Sequence, residues 1–329
     1  MNYFSRLAMI VILSGLATSL FARNFSGLYV FGDSLSDSGN VALMIGSDPN
    51  QIITGNSYIP SRPYASGQFT DGDVWVTTFA SAIGLLPFAQ PVLTGGGGNF
   101  AFGGARTSTD GLGLPPSLAQ QSAAFLGSTG GTVPHDALYV LQSGGNDARD
   151  ALLAIASGSD PQSIIEATAI QYAQSIGSMV DQLQTAGAER FVVWNVPNLG
   201  LLPAITEQGL QASFLGEQIA LAMNDALSNR LSGEIGVTIF DDFSLVTQVA
   251  MDPASVGLMN ATDACGAVAA CDPSTYLFWD GLHPTSAGHE LLAQHMIQAV
   301  PEPSTYLLLI SGLLLISIKL RHKAKTIIK

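Results

Sequence analysis

Apolar runs of four to six residues recur along the chain, and each ends in small, polar or turn-forming residues: 28–31, 98–102, 137–142, 191–196 and 237–240. Runs this short and this uniformly apolar predict strands buried on both faces. Between them, 164–186 and 207–231 place polar residues at helical intervals, and a further helix is predicted over about 285–299, with Pro284 at a tolerated early position. Strands alternating with helices predict an α/β domain, a parallel sheet covered on both faces as a three-layer α/β/α sandwich. Loops at the carboxyl ends of such strands emerge on one edge, where open α/β sheets bind ligands. No internal repeat interrupts the pattern. The glycine run at 95–98 is not followed by Gly-Lys-Ser or Gly-Lys-Thr, so it reads as a loop and not a phosphate cradle.

The two ends break the pattern. Residues 1–22 carry one charge, Arg6, ahead of an uncharged apolar stretch, the layout of a secretory signal peptide; the alternative is a first core helix. At the other end, Pro301-Glu302-Pro303 precedes thirteen residues without charge, 306–318, and then a basic terminus. Thirteen is short of the ~20 needed to cross a bilayer unaided, although flanking lysines and arginines can snorkel. This leaves 23–300 as one domain. Of the 12 Lys and Arg, Arg6 and the five cations after Ile318 lie in the ends; the domain keeps six arginines and no lysine against 24 acids, a balance of −18. Such a surface repels phosphate backbones and argues against a nucleic-acid partner.

Ser34 sits on the first turn after 28–31, in Gly32-Asp33-Ser34-Leu35, and a serine nucleophile needs an adjacent base. Asp280-Gly281-Leu282-His283-Pro284 supplies a histidine and a carboxylate far downstream. Between them lie Gly98-Asn99-Phe100-Ala101-Phe102-Gly103-Gly104 and Ser143-Gly144-Gly145-Asn146-Asp147. These four blocks, in this order, resemble those of the GDSL or SGNH hydrolases, and the likeness covers roughly 27–299. The resemblance implies a flavodoxin-like sheet and an ester-hydrolysing serine enzyme without metal or organic cofactor. It implies Ser34 as nucleophile, His283 as base, Asp280 as the orienting acid, and the Ser34 N–H, Gly104 N–H and Asn146 amide as oxyanion donors. Gly104 is preferred to Gly103 on family spacing; the local residues do not decide. The Gly-x-Ser-x-Gly elbow of the α/β-hydrolases is absent, because Ser36 occupies its last position. The stretch 67–75 is similar to one in lipase-like members and favours carboxylic esters, lipid or small-molecule. The C-terminal tail resembles the PEP-CTERM sorting signal of Gram-negative exporters, which implies export, membrane contact through the tail and its removal by an exosortase-type protease; a plain membrane anchor is the alternative.

Each residue also has a plain reading. Ser34 alone is more often a turn serine, Asn146-Asp147 a loop pair bonding its own backbone, and Asp280 an N-cap with His283 in the first turn of a helix. Asp33 and Asp37 are expected to order the nucleophile loop, since EF-hand spacing is missing. His135, His289 and His295 have no partner signature and are assigned to structure. Trp75, Phe79, Phe100, Phe102 and Trp194 are candidates for an acyl pocket or, more commonly, for core. Cys265 and Cys271, in an exported segment with no histidine nearby, predict a disulfide worth about 2 kcal/mol rather than a metal site; a reduced pair is the alternative. The same blocks also fit an exopolysaccharide O-acetylesterase or a lipid acyltransferase. A non-catalytic envelope or matrix protein is the reading from another class.

Overall fold

Strand β1 (Leu28–Gly32) forms one side of a parallel sheet whose order is β1-β2-β3-β4, with β2 at Leu138–Gln142, β3 at Phe191–Trp194 and β4 at Val237–Phe240. The computed structural model describes residues 25–58, 62–110 and 113–300. The expected signal peptide at 1–22 and sorting tail at 301–329 lie outside the described residues. Registry aligns Tyr29, Tyr139 and Phe191 on one face, with successive ring centroids 5.5 and 5.6 Å apart. On the other face Trp194 and Phe240 sit in register at 4.4 Å. Such cross-strand aromatic pairs fix pairing because a slip of one residue would turn each ring to the wrong face.

Helices complete both layers: α1 (Asn40–Ile45), α2 (Trp75–Ala82), α3 (Leu118–Ser128), α4 (Gly145–Ala156), α5 (Pro161–Thr185), α6 (Pro203–Thr206), α7 (Leu210–Arg230), α8 (Asp242–Met251) and α9 (Ser286–Ala299). Phe125 of α3 packs on Tyr29 at 4.5 Å, while Trp75 of α2 packs on Trp194 at 4.8 Å, so the two helices cover opposite faces. Helix α5 packs between α3 and α7, and α9 lies along α2. Capping fixes where they start. Ser117 accepts from the Gln120 N–H before α3, and Asp160 accepts from the Ser163 N–H ahead of Pro161 in α5. Among the described residues no helix is long and apolar enough to cross a membrane.

The structure departs from the sequence expectation in two places. Segment 98–102 is not a regular strand. It runs beside β1, with the Val30 N–H donating to Gly98 O, the Phe100 N–H to Val30 O and the Phe102 N–H to Gly32 O, yet forms only an isolated bridge there. The bond that would continue the ladder, from the Gly32 N–H to the Phe100 carbonyl, is not formed, because that N–H donates to Gln121 Oε1 at 2.9 Å instead. Counting this segment as an edge, the spatial order becomes 2-1-3-4-5, the flavodoxin-like arrangement with its switch point beside β1. The second departure is a small parallel sheet of β5 (Asn260–Ala264) and β6 (Tyr276–Phe278). Asn-Ala-Thr-Asp-Ala gives β5 no strand periodicity to detect. Between these strands Cys265 and Cys271 form a disulfide with Cα atoms 5.5 Å apart.

Candidate active site

The turn after β1 is tied down by buried carboxylates. Asp33 accepts from the Leu35 N–H at 3.0 Å and from Gln142 Nε2 at 3.0 Å, while its carbonyl accepts from the N–H groups of Ser36 and Asp37. Asp37 accepts from the N–H groups of Gly39, Asn40, Val41 and Gly103. Burial pushes both carboxyls up to about 6 against the lowering effect of these donors. Ser36 donates to Gln142 Oε1 at 2.8 Å and accepts from Trp75 Nε1 at 3.0 Å. These bonds join the turn that carries Ser34 to the end of β2 and to α2. Gly32 is required where it is, since a Cβ there would lie 2.9 Å from the Ser36 Cβ.

His283 reaches this turn from across the molecule. Its Nε2 accepts from the Ser34 hydroxyl at 2.8 Å, and its Nδ1 donates to Asp280 Oδ2 at 2.6 Å. The loop that carries both is closed by the Trp279 N–H donating to the His283 carbonyl at 2.8 Å. Within it, Asp280 Oδ1 accepts from the N–H groups of Leu282 and His283, both at 2.6 Å, which fixes the carboxylate plane against the ring. With Asp280 accepting at Nδ1, the ring proton sits there and Nε2 faces Ser34 as an acceptor. All three groups are buried: Asp280 is 0% exposed, His283 3% and Ser34 9%.

Tyr64 was not legible in the sequence. Its hydroxyl donates to Asp280 Oδ2 over a separation of 216 positions, and its ring lies edge-on to the imidazole beside those of Phe69 and Tyr58. No motif spacing marks it.

Asn146, in the first turn of α4, donates one amide hydrogen to the Ala105 carbonyl at 2.9 Å, leaving the second for the cleft. Gly104 has a left-handed φ of 81° that favours glycine. Its carbonyl accepts from Arg106 Nη1 at 2.8 Å. Among the described residues no acceptor takes the N–H of Gly104 or of Ser34, whereas that of Gly103 is bonded to Asp37. Gly103 has a packing reason instead: a Cβ there would lie 2.1 Å from the Phe69 ring. Ser34, His283 and Asn146 line one cleft, and Gly104 is not part of its lining. Its lining is apolar at Leu199, Leu202, Ile205 and Leu282 and polar at Tyr58 and Arg149. Its enclosed space is small, about 70 Å³, and the rest opens to solvent.

The GDSL-like Lipase/Acylhydrolase family matches residues 28–296. The chain belongs to that family. It is an ester hydrolase. It is 26% identical to a GDSL esterase/lipase of Arabidopsis thaliana over 84% of this chain and 89% of the relative. It is 28% identical to the esterase EstA of Pseudomonas aeruginosa over 85% of this chain and 47% of that longer protein. Among solved structures, a lipase from a goat rumen metagenome aligns with a TM-score of 0.45 at 14% identity, covering 83% of this chain and 96% of that one.

Within this GDSL enzyme the aromatic candidates for an acyl pocket are core. Trp75, Phe79, Phe100, Phe102 and Trp194 are all buried, and none lines the cleft. The apolar wall comes instead from the 199–205 segment after β3, whose leucines and isoleucine carry no signature beyond ordinary core composition. His289 lies away from the cleft, its Nδ1 accepting from the Trp75 N–H at 3.3 Å.

Proposed function

We propose that this GDSL enzyme cleaves carboxylic esters through an acyl-enzyme on Ser34. The Ser34 oxygen attacks the ester carbonyl carbon while its proton passes to His283 Nε2, and Asp280 stabilises the imidazolium that forms. The tetrahedral oxyanion is held by the N–H groups of Ser34 and Gly104 and by the Asn146 amide. Collapse breaks the bond to the leaving alcohol, which takes the proton from Nε2 as it departs. Water then attacks the Ser34 ester, giving its proton to Nε2 and regenerating the serine as the acid leaves.

The observation that carries this reading is the buried chain from Ser34 to His283 to Asp280, at 2.8 and 2.6 Å. The open N–H groups of Ser34 and Gly104, beside the engaged one of Gly103, support the choice of Gly104. The apolar wall of Leu199, Leu202, Ile205 and Leu282 suits an acyl chain, and water is the acceptor. Export by the 1–22 segment, with sorting of a 23–300 domain at a Gram-negative envelope through the 301–329 tail, completes the proposal. The disulfide supports an oxidising compartment.

Hydrolysis of p-nitrophenyl acetate, butyrate and decanoate by the full chain and by its Ser34→Ala variant tests the mechanism. Turnover by the wild type that the variant reduces to background is expected. Equal turnover by both would remove Ser34 from the nucleophile role.

A further inference from the structure

Two of the six arginines of a lysine-free domain converge beside this cleft, and they share one carboxylate, Asp150, unequally. Arg106 binds Asp150 in a fork, Nε to Oδ2 at 2.8 Å and Nη2 to Oδ1 at 3.0 Å, so both carboxylate oxygens are engaged. Arg149 has Asp150 as its only carboxylate within 4 Å among the described residues, and that contact is 3.7 Å long. Its side chain is 17% exposed and faces the cleft one helical turn beyond Asn146. The guanidinium donates Nη1 to the Tyr58 hydroxyl and lies 5.2 Å from that ring's centroid. Having accepted from Arg149, the Tyr58 hydroxyl still has its own hydrogen to give, and no acceptor takes it among the described residues. The result is a largely desolvated pair of donors, one of them charged, with no acceptor between them.

We propose that Arg149 and Tyr58 form a subsite for an anionic group carried by the ester substrate, a carboxylate or a phosphate. The inference rests on the esterase reading above, because it places the anion on a substrate whose carbonyl sits at Ser34. A planar guanidinium matches the two oxygens of a carboxylate or phosphate, and the tyrosine supplies a third donor at the same place. The surrounding negative charge repels free anions at long range, so selectivity arises at contact distance in the cleft. None of the motif blocks contains Arg149 in a recognisable role, which is why the sequence did not disclose it.

The test compares kcat/KM for 4-acetoxybenzoate, 4-acetoxyphenyl phosphate and the neutral methyl ester of 4-acetoxybenzoate, all cleaved at the acetate. The wild type is expected to prefer one or both anionic acetates over the neutral one, and the identity of the better substrate separates carboxylate from phosphate. Arg149→Ala should lower the anionic-to-neutral ratio by about tenfold or more, Arg149→Lys by less, and Tyr58→Phe by a few-fold. A ratio identical in wild type and all three variants overturns the subsite while leaving the esterase intact. Should the wild type cleave none of the acetates while it hydrolyses p-nitrophenyl butyrate or decanoate, the esterase reading stands; should it cleave no ester, that reading fails. In either case the subsite is read by calorimetric titration of benzoate and inorganic phosphate into Ser34→Ala. Heat of binding that disappears in the Ser34→Ala, Arg149→Ala double variant supports it; no binding of either anion overturns it.

Discussion

Asp242 opens α8 with its carboxyl buried, 2% exposed, and its Oδ1 lacks a hydrogen-bond partner among the described residues. Burial, with Asp241 and Asp33 nearby, pushes it up to about 8. In the unfolded chain an aspartate titrates near 3.9, so between about pH 4 and 8 the folded state holds the extra proton. Stability is therefore full below about pH 4 and declines as pH rises toward 8. Asp242→Asn should match the wild type in urea midpoint at pH 4 and exceed it at pH 8.5 by on the order of 1–3 kcal/mol. A gap of the same size at both pH values would show that the carboxyl's charge is not the cause. At this scale the sequence discloses groups whose chemistry is local. Ser34, Asn146, Asp280 and His283 each sit in a turn of small residues that reads as a site. Tyr64 and Arg149 do not, because what makes them matter is a partner brought close only by the fold.

The loop at 104–107 is held to α4 by side chains of its first two turns. Asn146 bonds the Ala105 carbonyl, Asp147 accepts from the Thr107 N–H and hydroxyl, and Asp150 grips Arg106, which in turn holds the Gly104 carbonyl. Losing the Arg106–Asp150 fork leaves the loop attached through the other two bonds but free to shift at Gly104. Asp150→Asn should lower kcat by about three- to tenfold with KM for a neutral ester changed little, the scale expected of a partly exposed ion pair worth about 1 kcal/mol. Full retention of kcat on p-nitrophenyl butyrate would show that Gly104 is positioned without the clamp. Element types were legible where a single period ran unbroken: the long helices begin and end within a few residues of their expected limits. Segment 98–102 misled because the Gln121 side chain, 89 positions from Gly32, takes the Gly32 N–H that would continue the ladder, a contest that apolar patterning does not register.

For the molecule as a whole, contacts cluster Phe25–Ala299 into one unit. With core elements drawn from β1 through α9, no internal boundary divides that unit, so residues 25–300 expressed alone should unfold in one cooperative transition and keep the esterase activity of the full chain. Two transitions by calorimetry would reveal an internal boundary, and lost activity in the fragment would place part of the fold's support in the ends. The sequence by itself determined the α/β class, the order of the strands along the chain and the four motif blocks, because hydrophobic periodicity, turn chemistry and motif spacing are properties of neighbouring residues. Tertiary structure decided which of two glycines keeps an open N–H, which side chains line the cleft, and where a guanidinium has only a distant, shared counter-charge. Those outcomes depend on which atoms compete for the same donor or carboxylate, and that competition exists only once distant segments are packed against each other.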